Sequence, residues 1–594
     1  MTGTDAPTAP ARRSRRSAWG PKAWLGLAGP VGETPHTRRE RLMALFRWRL
    51  RLATLLFAAC FIAVTGKLVG LMALPAPPNT EAAAEAAPEA QTRGQLLDRN
   101  GHILATTTRA VDLYADPLLV QDVETTADRI SEVLPHRDRA ELIDILSAPG
   151  RFAYIEREIT PQDQNRINRL GLPGIDFTPI DRRLYPAGSL VAHITGLTNS
   201  DGYGIRGMEL ALDDRLSAGE DIRLSIDLRV QGAVAEIVAA AMAEYRAIGA
   251  AGLVMDAQTA EILALVSLPD FHPYRRDTLA GEAGFNRATL GTYELGSTFK
   301  VFNTAIGLDT GTVELTDRFD ATQPIRFGRH TISDYRGEDR TLTVPEVFVH
   351  SSNIGSVRLY ERFGRQTQRR YFERFGLLSP LPVELPERGT PQLPPNWGPV
   401  EGMTMSFGHG LSITPTHLAA AIAAMVNGGV LYPPTLLAQG QSAARPLVGT
   451  QVIEPQTSAI LRRLMFANVA YEEGSGNNAY VEGYLVGGKT GTAEKPVGSG
   501  YAENARISSF IAAYPMTDPR YVVFVMLDEP QGTRRTFGFA TGGWVAAPAV
   551  GEIIARTGPI LGVPTVDETR SDIRSALFVP LTPEDTILAR FAPE

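Results

Sequence analysis

Glu294-Leu-Gly-Ser-Thr-Phe-Lys300 sets Ser297 and Lys300 three residues apart, behind a glycine and ahead of an apolar run. On a helix, residues i and i+3 share a face, so the hydroxyl and the amine can meet. That is the arrangement of a nucleophile beside its base. The lysine is informative because only five of the 58 basic residues are lysine: Lys22, Lys67, Lys300, Lys489 and Lys495. Arginine keeps its proton inside a protein, whereas a desolvated lysine can release it. A surface serine and lysine on one helix would read the same way. Roughly a quarter of one Ser-x-x-Lys match is expected by chance in so lysine-poor a chain, so the pair alone is weak.

Working outward, the elements around this stretch predict one folded unit from about residue 220. Asp227 can cap a helix whose apolar positions are Val230, Val234, Ile237, Ala241 and Tyr245. A hairpin follows, Gly252-Leu-Val-Met-Asp256 and Ile262-Leu-Ala-Leu-Val266 around a turn at 258–260. The Ser297 helix is expected over about 297–308. Helices dominate 343–470, and three strands follow at about 484–495, 507–514 and 520–528. A last helix is expected near 543–556, and 559–594 reads as a tail. This order implies an α/β (α+β) fold, an antiparallel sheet with helices on its faces.

Upstream, Leu96 to Ala105 reads as a hairpin around Asn100-Gly101. Short helices and strands reach about 180. Arg183-Leu-Tyr-Pro-Ala-Gly188, His193 and Gly202 to Glu209 then read as turns and buried polar contacts joining two domains. The run from Leu52 to Leu74 carries Lys67 as its sole charge, enough to span a bilayer with that lysine near one end. Arg47, Arg49 and Arg51 precede it, which puts the N-terminus in the cytoplasm and the bulk of the chain outside. A lead of about 50 residues suits a retained anchor better than a cleaved signal peptide. The expected organisation is a basic tail over 1–50, mostly disordered over 1–41, an anchor at 51–74, a low-complexity linker at 75–92, a pedestal at 93–222, the second unit at 223–560 and a tail at 561–594.

Composition narrows the class. The chain has 594 residues, 44% apolar and 21% charged, and a net charge of −7. Residues 1–51 carry +8, so the body carries −15. An acidic body argues against nucleic-acid binding, and a basic head suits a membrane topology signal. Cys60 is the single cysteine, so no intrachain disulfide can form, and no Cys/His metal framework is present.

Two further motifs join Ser297-Thr-Phe-Lys300. One is Ser351-Ser-Asn353 within Val349-His-Ser-Ser-Asn-Ile-Gly355, which by itself would read as a helix cap. The other is Lys489-Thr-Gly-Thr492 within Gly487-Gly-Lys-Thr-Gly-Thr-Ala493, on an expected edge strand. Ser-x-x-Lys, Ser-x-Asn and Lys-Thr-Gly in this order resemble the class B penicillin-binding proteins. The resemblance spans roughly 45–560 and includes Arg93-Gly94, Asp98-Arg-Asn-Gly101 and Ser406-Phe-Gly-His-Gly-Leu-Ser-Ile-Thr-Pro415. Gly196-Leu-Thr-Asn199 with Gly204-Ile-x-Gly-x-Glu209 is similar to the septal, cell-division type more than the elongation type. The basic head, the long linker and Glu294-Leu-Gly, where Pro-Gly is common, depart from the pattern.

The residue types suit one another chemically. Ser297 attacks an acyl carbon, and Lys300, kept neutral by burial near cationic Lys489, takes its proton. Ser351 relays that proton, and Asn353 holds Lys300 and a substrate amide. Thr490, Gly491 and Thr492 are expected to bind substrate, the two hydroxyls through a carboxylate. The resemblance implies an oxyanion hole at the backbone N–H groups of Ser297 and Thr492. It implies peptidoglycan stem peptides as substrates, β-lactams as inhibitors, and no metal or organic cofactor. It also implies, as partners, a membrane glycan polymerase of the FtsW kind and other cell-division proteins at the septum. Alternatives on the same fold are an elongation-type transpeptidase, a D,D-carboxypeptidase, and a non-enzymatic β-lactam sensor or scaffold.

Overall fold

The computed structural model describes residues 35–73, 92–328, 330–439, 448–497 and 500–581. The chain divides into two units, 1–90 and 91–594. In the first, helix α1 (Pro35–Ala73) contains Phe46–Lys67, which among the described residues is the one stretch long and apolar enough to cross a membrane. The helix begins before residue 41, so 35–41 are helical where disorder was expected. The remainder of the basic head and the linker at 75–91 lie outside the described residues.

The second unit opens on β1 (Leu96–Leu97), which turns at Asn100-Gly101 into the long β2 (Ile103–Ala115) as the Asn-Gly signal predicts. β2 also pairs antiparallel with β3 (Ala153–Ile159) and β4 (Ile175–Leu184). Helices α2 (Val123–Val133) and α3 (Arg139–Leu146) cover this sheet through Ile130 and Leu142, which meet Leu113 and Ile155. The stretch from Arg183 to Glu209 forms the buried polar contacts expected of it. Glu209 is fully buried and takes Arg93 on one oxygen (2.8 Å) and Arg183 on the other (2.7 Å). Arg206 then donates to the Gly284 carbonyl at 2.7 Å, further along the chain.

The sheet that organises the remainder has five antiparallel strands. In chain order they are β5 (Gly249–Asp256), β6 (Ile262–Leu268), β7 (Gly487–Val497), β8 (Gly500–Tyr514) and β9 (Tyr521–Asp528). Their spatial order is β7-β8-β9-β5-β6, which leaves β7 at an edge. β9 is buried along its whole length because it is covered on both faces. Side chains alternate across a strand, so its apolar run feeds two cores. Val522, Phe524 and Met526 enter the larger core, and Val523, Val525 and Leu527 the smaller.

The smaller core is closed by α4 (Leu228–Glu244), capped by Asp227 as expected, and by α5 (Ala547–Thr557). A separate turn of helix, Gly542–Val545, precedes α5 where one continuous helix was expected. The larger core holds α6 (Lys300–Asp309), α7 (Val344–Val349), α8 (Asn353–Arg374), α9 (Pro415–Val426) and α10 (Pro455–Ala470). Every residue of α9 is buried, the signature of a helix apolar all round. The result is an antiparallel sheet between two helical layers.

The expected tail departs from its reading. α11 (Ser571–Leu577) folds back, and Leu577, Val579 and Leu581 are buried in the larger core. A seven-residue helix between loop-like flanks has too short an apolar pattern to be seen in sequence.

Candidate active site

Ser297 and Lys300 stand on one face of a tighter helix than expected. Gly296–Phe299 is a 3-10 turn that hands over to α6 at Lys300. A 3-10 turn has three residues per turn, so i and i+3 eclipse and the two side chains leave on the same side. Gly296 sets this up with φ +55°, and a Cβ there would strike the Thr492 carbonyl at 2.5 Å. The nucleophile turn is therefore pressed against edge strand β7.

Strand alternation explains what β7 contributes. Lys489 and Gly491 point to the layer that carries Ser297, Thr490 and Thr492 to the other. A Cβ on Gly491 would meet the Leu295 carbonyl at 2.4 Å. Gly491 accordingly permits the close approach and does not line the cleft, where substrate binding was expected of it. Thr490 and Thr492 do line it, and the Thr492 hydroxyl accepts from the Gly542 amide at 3.0 Å.

Ser351 comes from the junction of α7 and α8, in the left-handed region at φ +58°. A serine held there is strained, and such strain collects at functional sites. The neighbouring Ser352 is the N-cap of α8, accepting from the Gly355 amide at 2.8 Å. The cap reading and the chemical reading of this motif thus both apply, one residue apart.

Both buried lysines converge on Ser351. Lys300 donates to its Oγ at 3.1 Å, to its carbonyl, and to Asn353 Oδ1 at 2.8 Å. Lys489 donates to the same Oγ at 2.9 Å. Their side chains lie beneath the floor of the cleft, at 1% and 0% exposure. Burial pushes Lys300 down to about 7, with the Asp334 carboxylate pulling the other way. Burial first, and the charge of Lys300 second, hold Lys489 well below its usual range. Two ammonium groups sharing one hydroxyl in a dry pocket disfavour each other, so one neutral amine is the favoured state. The same burial, with Lys300's charge, holds His409 down at about 4.

Two residues absent from the sequence reading complete the site. Ser475 Oγ lies 3.3 Å from Lys489 Nζ and 3.0 Å from Thr490 Oγ1, and it donates to Asn468 Oδ1 at 2.9 Å. Asp334 accepts from Ser352 Oγ (2.7 Å) and from the Asn353 and Ile354 amides at the start of α8. Both stand in irregular loops, where polar residues look like those of any other turn. The cleft above them is about 1440 Å³, with Ser297, Ser351, Asn353, Ser475, Thr490 and Thr492 along its wall. That is room for an extended peptide.

Comparison with known proteins agrees with this geometry. Residues 250–555 match the penicillin binding protein transpeptidase domain, and residues 88–234 match the penicillin-binding protein dimerisation domain. The probable peptidoglycan D,D-transpeptidase FtsI of Caulobacter vibrioides is 42% identical, over 79% of this chain and 82% of its own. Stage V sporulation protein D of Bacillus subtilis is 34% identical, over 79% and 78%. The crystal structure of penicillin binding protein 3 from Mycobacterium tuberculosis, complexed with aztreonam, superposes with a TM-score of 0.64 at 25% identity, covering 80% of this chain and 98% of that one. A dimerisation domain followed by a transpeptidase domain, in a chain this similar to a curated relative over most of both lengths, makes it a member of the class B penicillin-binding proteins.

Proposed function

We propose that the protein is a peptidoglycan D,D-transpeptidase of the septal, cell-division type, acting through an acyl-enzyme on Ser297. The observation that carries this reading is the convergence of Lys300 and Lys489 on the Ser351 hydroxyl, beside the Ser297 turn. Ser297 Oγ attacks the carbonyl carbon of the penultimate D-alanine of a stem peptide, and its proton passes to neutral Lys300. The oxyanion sits against the backbone N–H groups of Ser297 and Thr492. Ser351 hands a proton to the departing D-alanine amine, the C–N bond breaks, and an ester on Ser297 remains. An amine from a neighbouring stem attacks that ester, loses its proton along the same route, and leaves a cross-link and free Ser297. The Thr490 and Thr492 hydroxyls hold the donor's terminal carboxylate, Lys489 acts on the potential of the pocket from beneath its floor, and Asn353 orients Lys300 and a substrate amide. A β-lactam acylates Ser297 and stays.

The septal role is supported by the FtsI naming of the Caulobacter relative. Residues 93–222 serve as the pedestal and 223–560 as the transpeptidase domain. α1 anchors the protein in the inner membrane with the basic head in the cytoplasm and the catalytic domain in the periplasm. A membrane glycan polymerase of the FtsW kind and other division proteins are its partners.

Labelling with a fluorescent penicillin tests the chemistry. The full-length protein should be labelled, Ser297→Ala should not, and a donor pentapeptide with an added amine should give a new amide. Release of D-alanine to water alone would identify a carboxypeptidase. A tagged copy should gather at midcell, whereas a lateral-wall pattern would identify the elongation role.

A further inference from the structure

The residues that follow α11 cross the outside of the active site. Phe578 offers its carbonyl to Arg463 Nε (2.9 Å) on α10. Val579 is held at both backbone groups by one side chain: the Tyr471 hydroxyl donates to its carbonyl (2.7 Å) and accepts from its amide (3.3 Å). Leu581 offers its carbonyl to the Thr343 hydroxyl at 2.6 Å, and its side chain lines the cleft. Three of the four residues from 578 to 581 therefore make these contacts, which reach both walls.

The contacts to Thr343 and Tyr471 each lie one short segment from a group of the site. Thr343 caps α7 through a reciprocal pair with Glu346, and α7 ends where the chain turns left-handed at Ser351. Tyr471 ends α10 and opens the turn that presents Ser475, with its own carbonyl accepting from the Gly474 amide (3.1 Å) and from Asn477 Nδ2 (3.0 Å). Ser475 in turn touches Lys489 and Thr490. Between the two walls lies the Lys489–Ser351 hydrogen bond, 2.9 Å long and formed by groups from separate elements. Separate elements hold such a distance only if something fixes their spacing.

We propose that residues 578–581 are a tie-bar that sets the spacing between the Ser351 wall and the Lys489–Ser475 wall, with Tyr471 and Thr343 as positioning residues for acylation. The inference rests on the acyl-enzyme reading above and assigns the C-terminal segment a part in it. The tie-bar touches no reacting atom. It acts on the rate of bond formation in the bound complex, because a misplaced relay slows chemistry more than it weakens binding.

The test uses the full-length protein in detergent and a fluorescent penicillin, with stopped-flow separation of the binding constant Kd from the acylation rate k2. Tyr471→Phe removes one hydroxyl that makes both bonds to Val579 and leaves the α7 cap in place, whereas Thr343→Val removes the bond to Leu581 together with that cap, so the Tyr471 variant carries the decision. Losing such bonds should lower k2 about three- to tenfold in each variant, with Kd within twofold. Thr343→Ser keeps the hydroxyl and should restore k2. A lowered melting temperature with unchanged k2 would assign the segment to stability alone and overturn the proposal, as would a rise in Kd with k2 unchanged. If the unaltered protein is not acylated, the acyl-enzyme reading falls and the tie-bar with it. If the unaltered protein is acylated and the variants match it, the tie-bar alone falls.

Discussion

Lys300 shows how one residue turns burial into chemistry. An amine in water titrates far above neutrality and is a poor base at pH 7. Desolvation brings Lys300 down to about 7, within reach of the free amine near neutral pH. The base must be the free amine, so the acylation rate should climb as pH rises through about 7 and level off above it. Stopped-flow acylation between pH 5 and 9 reads this directly, and a rate flat across the range would remove Lys300 as the base. Lys300→Arg keeps the charge and loses the base, because guanidinium does not give up its proton. It should lower acylation about 10²- to 10⁴-fold, seen as lost labelling of the folded fraction, together with a lowered melting temperature, because a fixed charge is then buried beside Lys489. The lysine scarcity that drew attention to Lys300 and Lys489 was informative for this reason. Lys495 shows the limit of that signal: it pairs with Asp528 and Glu529 and braces the end of β9.

The N-terminus of α8 is the element that couples structure to the titration of Lys300. Asp334 reaches it from a loop, takes the first two amides and the cap hydroxyl, and places a negative charge against the helix dipole. The same charge raises Lys300 against the effect of burial. Asp334→Asn should therefore do two things. It should destabilise the protein by about 1 kcal/mol through the weakened cap, measured by thermal unfolding. It should also move the rising limb of the acylation profile to lower pH, because removing a negative neighbour favours the neutral amine. A limb that stays in place or moves to higher pH would show that Asp334 does not act on Lys300. Elements with a repeating apolar pattern or a turn signal were legible in the sequence: α4 from its 3.6 period, β5, β6, β8 and β9 from their apolar runs, β1 and β2 from Asn100-Gly101. The three chemical motifs were legible because each carries its residues in one short segment. Asp334, Ser475 and Tyr471 were not, because loops deliver them and only packing of distant segments gives them partners. The 3-10 turn at Gly296 was hidden for a related reason. What enforces it is the carbonyl of Thr492, almost two hundred residues away in the chain.

At the scale of the whole 91–594 unit, one buried carboxylate ties together three stretches between residues 93 and 209. Glu209 is inaccessible to water, and the arginines on its two oxygens, Arg93 and Arg183, are exposed by only 8% and 5%. Arg93 stands where the described chain resumes after α1, Arg183 closes β4, and Glu209 lies on the short helix Gly207–Ala211. Three stretches distant in sequence thus share one ionic joint, and Arg93 also reaches Asp213 at 2.7 Å. Taking such charges out of water is costly, so the joint is weak evidence for net stability, but breaking it is a different matter. Removing the carboxylate leaves two guanidinium groups facing each other away from solvent. Glu209→Ala should therefore destabilise the unit by about 3–5 kcal/mol, read as a lower urea midpoint at constant slope. Glu209→Gln keeps the shape and loses the charge, and it should fall between the two. Ser297 is far along the chain from this joint and held by its own elements, so β-lactam acylation by the surviving folded fraction should keep its rate constant. An alanine variant as stable as the unaltered protein would mean that the joint carries no such load. A variant folded but slow to acylate would mean that this joint acts on the active site.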